Sequence, residues 1–160
     1  MSLFSPSKIA AITVAGLVAA ASHACNLPFE PTLASAQVKA AQRHCPVLLL
    51  FTGLDWSPRS ITLDRRLLEH AIIEKVIEDS FVPVLVDFPQ RVKLAPDLQR
   101  ANLALAERFK ITHFPTLIAL DSHAREVGRL EFQDETVASL KGLLDGWARI
   151  PSKDASPTPK

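Results

Sequence analysis

The chain has 160 residues, of which 48% are hydrophobic and 22% are charged, and its formal net charge at neutral pH is +1. This length favours one domain with a buried core, and this composition lies outside the range of intrinsically disordered chains. The near-neutral charge provides no general attraction to nucleic acid or to an anionic membrane surface. We therefore expect neither a nucleic-acid partner nor a membrane-surface protein.

The first 24 residues are organised like a secretory signal peptide. Residues 1–8 carry one positive charge, residues 9–21 are uncharged, and Ser22-His-Ala24 supplies the small residues that a signal peptidase reads. The uncharged run is short for a membrane span, although an N-terminal anchor or a buried helix is the alternative. We predict a protein exported to the periplasm or secreted, without a transmembrane segment after cleavage.

Export makes the state of the two cysteines relevant. Cleavage would leave Cys25 at the N-terminus, as in lipoproteins, but Ser22 stands where lipoprotein signals usually have an aliphatic residue. A disulfide between Cys25 and Cys45 is chemically permissible outside the cytoplasm. The two residues are candidates for a disulfide or, at Cys25, for lipidation. An unbridged Cys45 that packs as a small apolar side chain is the preferred interpretation.

After an irregular lead-in at residues 25–31, the pattern predicts one domain at residues 32–150 and a disordered tail at residues 151–160. Apolar residues recur at helical spacing in some segments and form short continuous runs in others. The predicted elements, in chain order, are helix 32–44, strand 46–52, a helix from residue 57, helix 69–79, strand 81–87, helix 98–109, strands 117–120 and 127–132, and helix 136–150. This order predicts an α/β fold, in which a mixed sheet of about four strands has helices on both faces.

The clearest local signal lies where the first strand meets the second helix. Pro46–Thr52 is a continuous apolar run closed by Gly53, which is typical of a strand covered on both faces. Ser57 followed by Pro58 predicts a helix N-cap and the first residue of a helix. Such junctions are common places for chemistry in α/β proteins.

The helix predicted at residues 98–109 follows a polar, basic loop at residues 88–96. Its apolar residues should form one buried side; they are Leu98, Ala101, Leu105, Ala106 and Phe109. The first helix should likewise bury a modest apolar face, formed by Leu33, Ala36, Val38, Ala40 and Ala41.

Two motifs together resemble the thioredoxin-like superfamily, namely the turn Trp56-Ser-Pro-Arg-Ser60 and the tripeptide Phe114-Pro115-Thr116. The order of the two motifs and the 58 positions between Ser57 and Pro115 carry the resemblance, which covers about residues 33–148. It is strongest to exported members whose first strand ends in Phe-Thr-Gly-x-Asp-Trp-Cys-x-x-Cys. The resemblance implies that Pro115 is cis and faces the turn.

The resemblance also implies that Ser57 stands at the nucleophilic cysteine and Ser60 at the resolving cysteine. Thiol–disulfide exchange needs a thiolate and then a second thiol, and a hydroxyl can replace neither. The aspartate that assists proton transfer in thioredoxin would map to Phe51. We therefore predict a redox-silent turn without a catalytic residue, a cofactor or a metal ion.

The shape of the family's substrate groove is what this chain retains. The predicted binding residues are Trp56, Ser57, Pro58, Arg59, Ser60, Phe114, Pro115 and Thr116. The leading hypothesis is non-catalytic binding of a polypeptide, as a chaperone-like or scaffold module. One alternative is a member of the oxidoreductase family that keeps a redox role by another route; another is that the serines are engineered.

Several features of the sequence have two interpretations. Trp56 is either an exposed binding anchor or a core residue. The cations Arg59, Arg65, Arg66, Arg91 and Lys93 form either a basic rim for an acidic partner or a solvated face.

Three further chemistries are not favoured by the sequence. Asp55, Ser57 and His113 could approach one another, but no sequence feature supplies the geometry of a serine hydrolase. Cys45 precedes the first strand, at the end opposite the turn, where a lone redox thiol is not expected. The histidines lack metal-ligand spacing. The oligomeric state cannot be predicted from the sequence.

Overall fold

A computed structural model describes residues 27–150 of the protein. The predictions for the signal peptide, for Cys25 and for the tail at residues 151–160 lie outside the described residues. Within residues 27–150, the elements are α1 (Leu33–Arg43), β1 (Val47–Thr52), α2 (Pro58–Leu63), a π-helical segment (Asp64–Leu68), α3 (Ala71–Ser80), β2 (Val82–Asp87), α4 (Pro96–Arg108), β3 (Thr116–Leu120), β4 (Glu126–Glu131) and α5 (Val137–Ala148).

The strands form one mixed sheet in the order β2-β1-β3-β4. β1 is parallel to β2 and antiparallel to β3, and β3 is antiparallel to β4. All six residues of β1 are buried, as expected for a central strand covered on both faces. The predicted α/β fold, with a four-stranded mixed sheet flanked by helices, is confirmed.

The alternation of side chains along β1 divides the core into two layers. Leu48 and Leu50 pack in the layer formed with α2, the π-helical segment, α3 and α5. Val47, Leu49 and Phe51 pack in the opposite layer, under α1 and α4. The continuous apolar run of β1 is therefore needed because both of its faces are covered.

Both edges of the sheet carry features that discourage further strand pairing. On the β2 side, Glu30 makes an isolated parallel bridge to Val84, and its N–H donates to the carbonyl of Pro83 at 2.8 Å. Pro83 itself has no N–H to offer. On the other side, β4 presents charged residues at the edge, among them Glu126 and Arg129, which pair with each other at 2.6 Å.

The predicted buried sides of two helices are partly wrong. In α4, Leu98 is 40% exposed and Ala101 is exposed, whereas Asn102 is the buried residue of the helix. The Asn102 side-chain amide donates to the carbonyl of Asp87 at 2.8 Å, so the helix turns this residue toward the end of β2. In α1, Val38 is exposed because the close approach to the sheet is made by the small residues Ala36 and Ala40.

Within residues 27–150, no helix combines the length and the apolar character that crossing a bilayer requires.

Candidate functional site

Three chain segments meet at the end of the sheet where β1 and β2 finish. The carboxyl ends of β1 and β2 lie together because the strands are parallel and Thr52 is paired with Asp87. β3 begins at the same end of the sheet, because its first residue, Thr116, is paired with Phe51. The turn after β1, the loop after β2 and the segment before β3 therefore form one surface.

Ser57 is the N-cap of α2, as predicted. Its backbone is extended, its hydroxyl oxygen accepts a hydrogen bond from the N–H of Ser60 at 3.3 Å, and Pro58 opens the helix. The same hydroxyl donates to the carbonyl of Phe114 at 3.4 Å, which links the turn to the segment before β3. Only 4% of Ser57 is exposed. The hydroxyl is thus a cap and a link between two segments.

Ser60 lies one turn further into the helix and is fully buried. Its hydroxyl oxygen accepts a hydrogen bond from the backbone N–H of Gly53 at 3.1 Å. This bond closes the turn from inside, across seven residues of chain. Both hydroxyls of the Ser-x-x-Ser turn are therefore engaged with neighbouring groups, and neither has a basic side chain as its partner within residues 27–150.

The peptide bond between Phe114 and Pro115 is cis, and this segment faces the turn. The Phe114 ring makes edge-to-face contacts with Trp56, at a centroid distance of 5.6 Å, and with Phe88, at 5.3 Å. We call these three rings the aromatic surface. Such geometries are favourable because ring edges and faces carry opposite partial charge.

Trp56 satisfies parts of both interpretations of the sequence. Its indole N–H donates to the carbonyl of Phe88 at 2.7 Å, yet 36% of the residue is exposed. A Cβ at Gly53 would lie 2.5 Å from the indole ring, so the tryptophan packs directly on the glycine backbone. Trp56 is held in one orientation while part of its ring remains open to solvent.

The predicted binding residues divide into an accessible set and a buried set. Trp56, Pro58 and Arg59 are exposed, and Phe114 is half-buried. The residues whose side chains are buried are Ser57, Ser60, Pro115 and Thr116. The accessible side chains can contact a partner directly, whereas the buried ones shape the surface from below.

Asp55 fixes the loop that follows β2, a role that the sequence analysis did not predict. Its carboxylate accepts hydrogen bonds from the backbone N–H groups of Gln90, at 3.0 Å, and Arg91, at 2.6 Å. Asp87 anchors the same region, because its carboxylate accepts from the Thr52 hydroxyl at 3.0 Å and from the Leu54 N–H at 3.1 Å. The turn and the loop are therefore fastened to each other.

The two backbone hydrogen bonds, first from Arg91 and then from Gln90, lower the pKa of Asp55. A lowered folded-state pKa stabilises the protein above the unfolded-state value of about 3.9, and the stabilisation is lost as the pH falls through the folded-state value. We expect Asp55→Asn to lower the melting temperature at neutral pH and to flatten its decline below about pH 4. Thermal unfolding followed by circular dichroism between neutral and acidic pH measures both effects.

Asp134→Asn is the matched control for this prediction, because Asp134 is an exposed carboxylate in the loop before α5. If Asp55→Asn and Asp134→Asn give the same melting curves at every pH, Asp55 does not hold the loop.

Asp64, the first residue of the π-helical segment, has a raised pKa because it is partly buried, and the negative charge of Glu69 raises this pKa further.

The structure does not assemble a serine hydrolase site from Asp55, Ser57 and His113. The Asp55 carboxylate is occupied by backbone N–H groups, and the Ser57 hydroxyl contacts Ser60 and Phe114. His113 instead lies beside Glu131, and its Nδ1 atom is 3.2 Å from the Glu131 carboxylate. The general base that would activate Ser57 is missing from the described part of the chain.

The remaining chemical candidates lie away from the turn. Cys45, just before β1, is half-buried and has no disulfide partner within residues 27–150, and burial raises the pKa of its thiol. A raised pKa makes the reactive thiolate scarce at neutral pH. Among residues 27–150 there is no group of three or more His, Cys, Asp or Glu side chains that could hold a metal ion.

Two side chains that build the site were missed by sequence reasoning, although signals for both exist. Phe88 follows β2 directly, and the carboxyl ends of parallel strands meet at one edge, so the residue after β2 should lie beside the turn after β1. Asn102 precedes Leu105 by three residues and Phe109 by seven, which places it in the helical stripe that faces the sheet.

The site lies within a stretch of the chain that matches one protein family. A family model described as a thioredoxin-like domain matches residues 33–131. The curated protein "Disulfide bond reductase DsbH" of Chlamydia pneumoniae is 30% identical over 110 residues, which cover 69% of this chain and 66% of the relative. "Thioredoxin-related protein DsbJ" of the same organism is 30% identical over 107 residues, which cover 66% of this chain but only 31% of the relative.

Solved structures agree with these sequence matches. A structure named "DsbH Oxidoreductase" has a TM-score of 0.72 and 26% identity, and the match covers 80% of this chain and 88% of the other. A thioredoxin from Thermus thermophilus has a TM-score of 0.58 and 23% identity, over 75% of this chain and 85% of the other, and so supports the fold alone. The chain spans about a third of DsbJ and about two thirds of DsbH. It belongs to the thioredoxin-like family and is similar to a protein named a disulfide bond reductase.

Proposed function

We propose that this protein is an exported thioredoxin-fold module that binds extended polypeptide beside the Trp56–Ser60 turn and does not exchange disulfides. The observation that carries the proposal is the pair of engaged hydroxyls. Ser57 caps α2 and contacts Phe114, and Ser60 is buried against Gly53. We propose that both serines replace the family's cysteines at these positions.

The loss of sulfur removes the reaction rather than slowing it. A serine hydroxyl at a helix N-terminus gains a hydrogen bond, but it does not ionise at neutral pH and cannot form a covalent bond to a disulfide sulfur with release of a thiolate. Ser60 could not resolve such an intermediate either. Both steps of the exchange cycle therefore lack their reacting atom at this turn.

The aromatic surface supports the binding half of the proposal. Trp56 is oriented by its hydrogen bond to Phe88 and by contact with Phe114, so little conformational entropy would be lost on binding. Within residues 27–150, the N–H of Phe114 has no hydrogen-bond partner, and it offers a donor to an extended backbone beside the rings. A partly exposed tryptophan beside an unpaired backbone donor suits a polypeptide ligand.

A second candidate function follows from the relatives, which are named a disulfide bond reductase and an oxidoreductase. In that case, the protein would retain a redox role of the family by a route outside the turn. Within residues 27–150, Cys45 is the thiol available for it. Its half-buried position and raised pKa argue against efficient exchange.

An insulin-reduction assay separates the two functions. We expect the purified protein, without its signal peptide, to reduce insulin no faster than dithiothreitol alone, because the turn supplies no thiolate. Turnover clearly above that background would overturn the redox-silent half of the proposal. Loss of such turnover in Cys45→Ser would then assign it to this thiol.

A further inference from the structure

A pocket adjoins the aromatic surface, and Phe88 belongs to both. It is a cavity of about 400 Å³ between the loop after β2 and the first half of α4. Its apolar lining comes mainly from Phe88, Pro89, Val92, Leu94 and Leu103. We call it the loop pocket. Its size is within the range of pockets that enclose a small ligand or one large side chain.

The loop pocket and the aromatic surface share a wall. Phe88 lines the pocket with one side and makes an edge-to-face contact with Phe114 at 5.3 Å. Phe114 in turn contacts Trp56 at 5.6 Å. A polypeptide that contacts Phe88 on the aromatic surface therefore also lies beside the loop pocket.

The loop that forms the pocket is held by hydrogen bonds to the turn after β1 and beside α4. Asp55 accepts hydrogen bonds from the N–H groups of Gln90 and Arg91, and Asn102 donates to the carbonyl of Asp87, just before the loop begins. Gln90 and Asn102 both line the pocket. The pocket is thus held open by the fold, and preformed sites lose less entropy on binding.

Apolar side chains at the pocket are unusually exposed. Val92 is 66% exposed and Leu103 is 53% exposed. Single exposed apolar residues are ordinary, but a group of them around a concave site marks an interaction surface. The chemistry of the lining favours an aliphatic or aromatic side chain.

The rim of this region is positively charged. Arg59, Arg91 and Lys93 are exposed, and none of them forms a salt bridge within residues 27–150. The Asp55 carboxylate, which accepts the backbone N–H groups of Gln90 and Arg91, keeps its negative charge and partly offsets the charge of Arg91. Lys93 lines the pocket and has no salt-bridge partner within residues 27–150, so its charge gives the pocket an electrostatic preference for a negatively charged ligand.

We propose that the loop pocket receives a bulky apolar side chain of the bound polypeptide, and that Lys93 selects segments with acidic residues next to that side chain. This inference rests on the proposed polypeptide-binding function and adds the class of sequence that is recognised. The ligand is an extended segment in which an aromatic or aliphatic residue is flanked by aspartate or glutamate.

Fluorescence anisotropy with two short labelled peptides tests the proposal. One peptide has a central phenylalanine between glutamates, and the matched peptide has lysines in place of the glutamates. We expect the acidic peptide to bind more tightly, by up to about fivefold for each exposed charge pair formed. This preference should shrink as the ionic strength rises, because salt screens exposed charges.

Variants assign the preference to the loop pocket. Lys93→Glu should weaken binding of the acidic peptide by about fivefold and reduce the difference in affinity between the two peptides. Leu103→Ser should weaken both peptides by about tenfold, because it removes apolar contact. Arg149→Glu is the matched charge control, because Arg149 is exposed at the end of α5, in the opposite layer of the core, and should change neither affinity.

The outcomes distinguish this inference from the function on which it rests. Peptides that bind equally well, lose affinity in Trp56→Ala and are insensitive to Lys93→Glu and Leu103→Ser would overturn the loop pocket but keep the groove. Failure of both peptides to bind the wild-type protein would overturn the proposed function and the inference together. Circular dichroism of each variant checks that the fold is retained, which we expect for the exposed positions Lys93, Leu103 and Arg149.

Discussion

The double substitution Ser57→Cys/Ser60→Cys is expected to give the protein thiol–disulfide exchange activity that it does not have with serine. A cysteine at position 57 would stand at the N-cap of α2, where the N–H of Ser60 already points at the side-chain oxygen. A thiolate is stabilised there by the helix N-terminus, which lowers the pKa of the thiol. In the insulin assay we expect turnover clearly above that of dithiothreitol alone, because a lowered pKa raises the fraction of reactive thiolate at neutral pH.

The single variants are the controls for this result. Ser57→Cys alone should form a mixed disulfide with substrate that is not resolved, and Ser60→Cys alone should stay unreactive because position 60 is fully buried. If the folded double variant remains as inactive as the wild type, the turn does not have the geometry of a redox site. The proposed origin of the serines would then be wrong.

The second large effect concerns stability and the core beneath the turn. Phe51 is fully buried in β1, and its ring contacts Phe109 edge-to-face at 6.3 Å. Phe51→Ala should lower the free energy of unfolding by about 3–5 kcal/mol, because it removes apolar contact and leaves a cavity. Urea unfolding followed by circular dichroism measures this change, with an unchanged m-value as the sign that two-state unfolding persists.

Val38→Ala provides the comparison, because Val38 is 62% exposed on α1. It should change the free energy of unfolding by no more than about 0.5 kcal/mol. Equal effects of the two substitutions would mean that Phe51 does not fill the core as described. A large loss at Phe51 with little loss at Val38 would instead show that Phe51 fills the core beneath the turn.

Local sequence patterns were enough to predict the frame of this protein. The apolar run before Gly53 predicted a strand covered on both faces, and β1 is the buried centre of the sheet. Ser57 and Pro58 predicted the start of α2, and both occupy the expected N-cap and first helical positions. These features depend on neighbours within a few residues, and short patterns record such neighbours directly.

The parts of the site that the sequence did not predict depend on contacts between distant segments. Asp55 reaches the N–H of Gln90 across 35 residues, and the Trp56 indole reaches the carbonyl of Phe88 across 32. No helical or strand period relates such positions. Asn102 was missed for another reason, since polar residues are seldom assigned to a buried stripe unless their hydrogen-bond partner, here Asp87, is known.

Trp56 shows the same limit within one residue. Its position after Asp55 could be read from the sequence, but its orientation is set by Gly53, Phe88 and Phe114 together. The resulting mixture of burial and exposure is what the binding proposal requires. A fully buried tryptophan could not contact a ligand, and a freely moving one would lose more entropy on binding.

The most direct test of polypeptide binding without sulfur chemistry is a titration with an unfolded polypeptide that contains no cysteine and no tryptophan. In a Trp147→Phe background, Trp56 is the remaining tryptophan of the chain. Because 36% of Trp56 is exposed, binding should shift its emission to the blue and protect it from acrylamide quenching. Saturable binding with these changes is the predicted result. Unchanged Trp56 emission and quenching at concentrations where the polypeptide is bound, or no binding at all, would contradict the account.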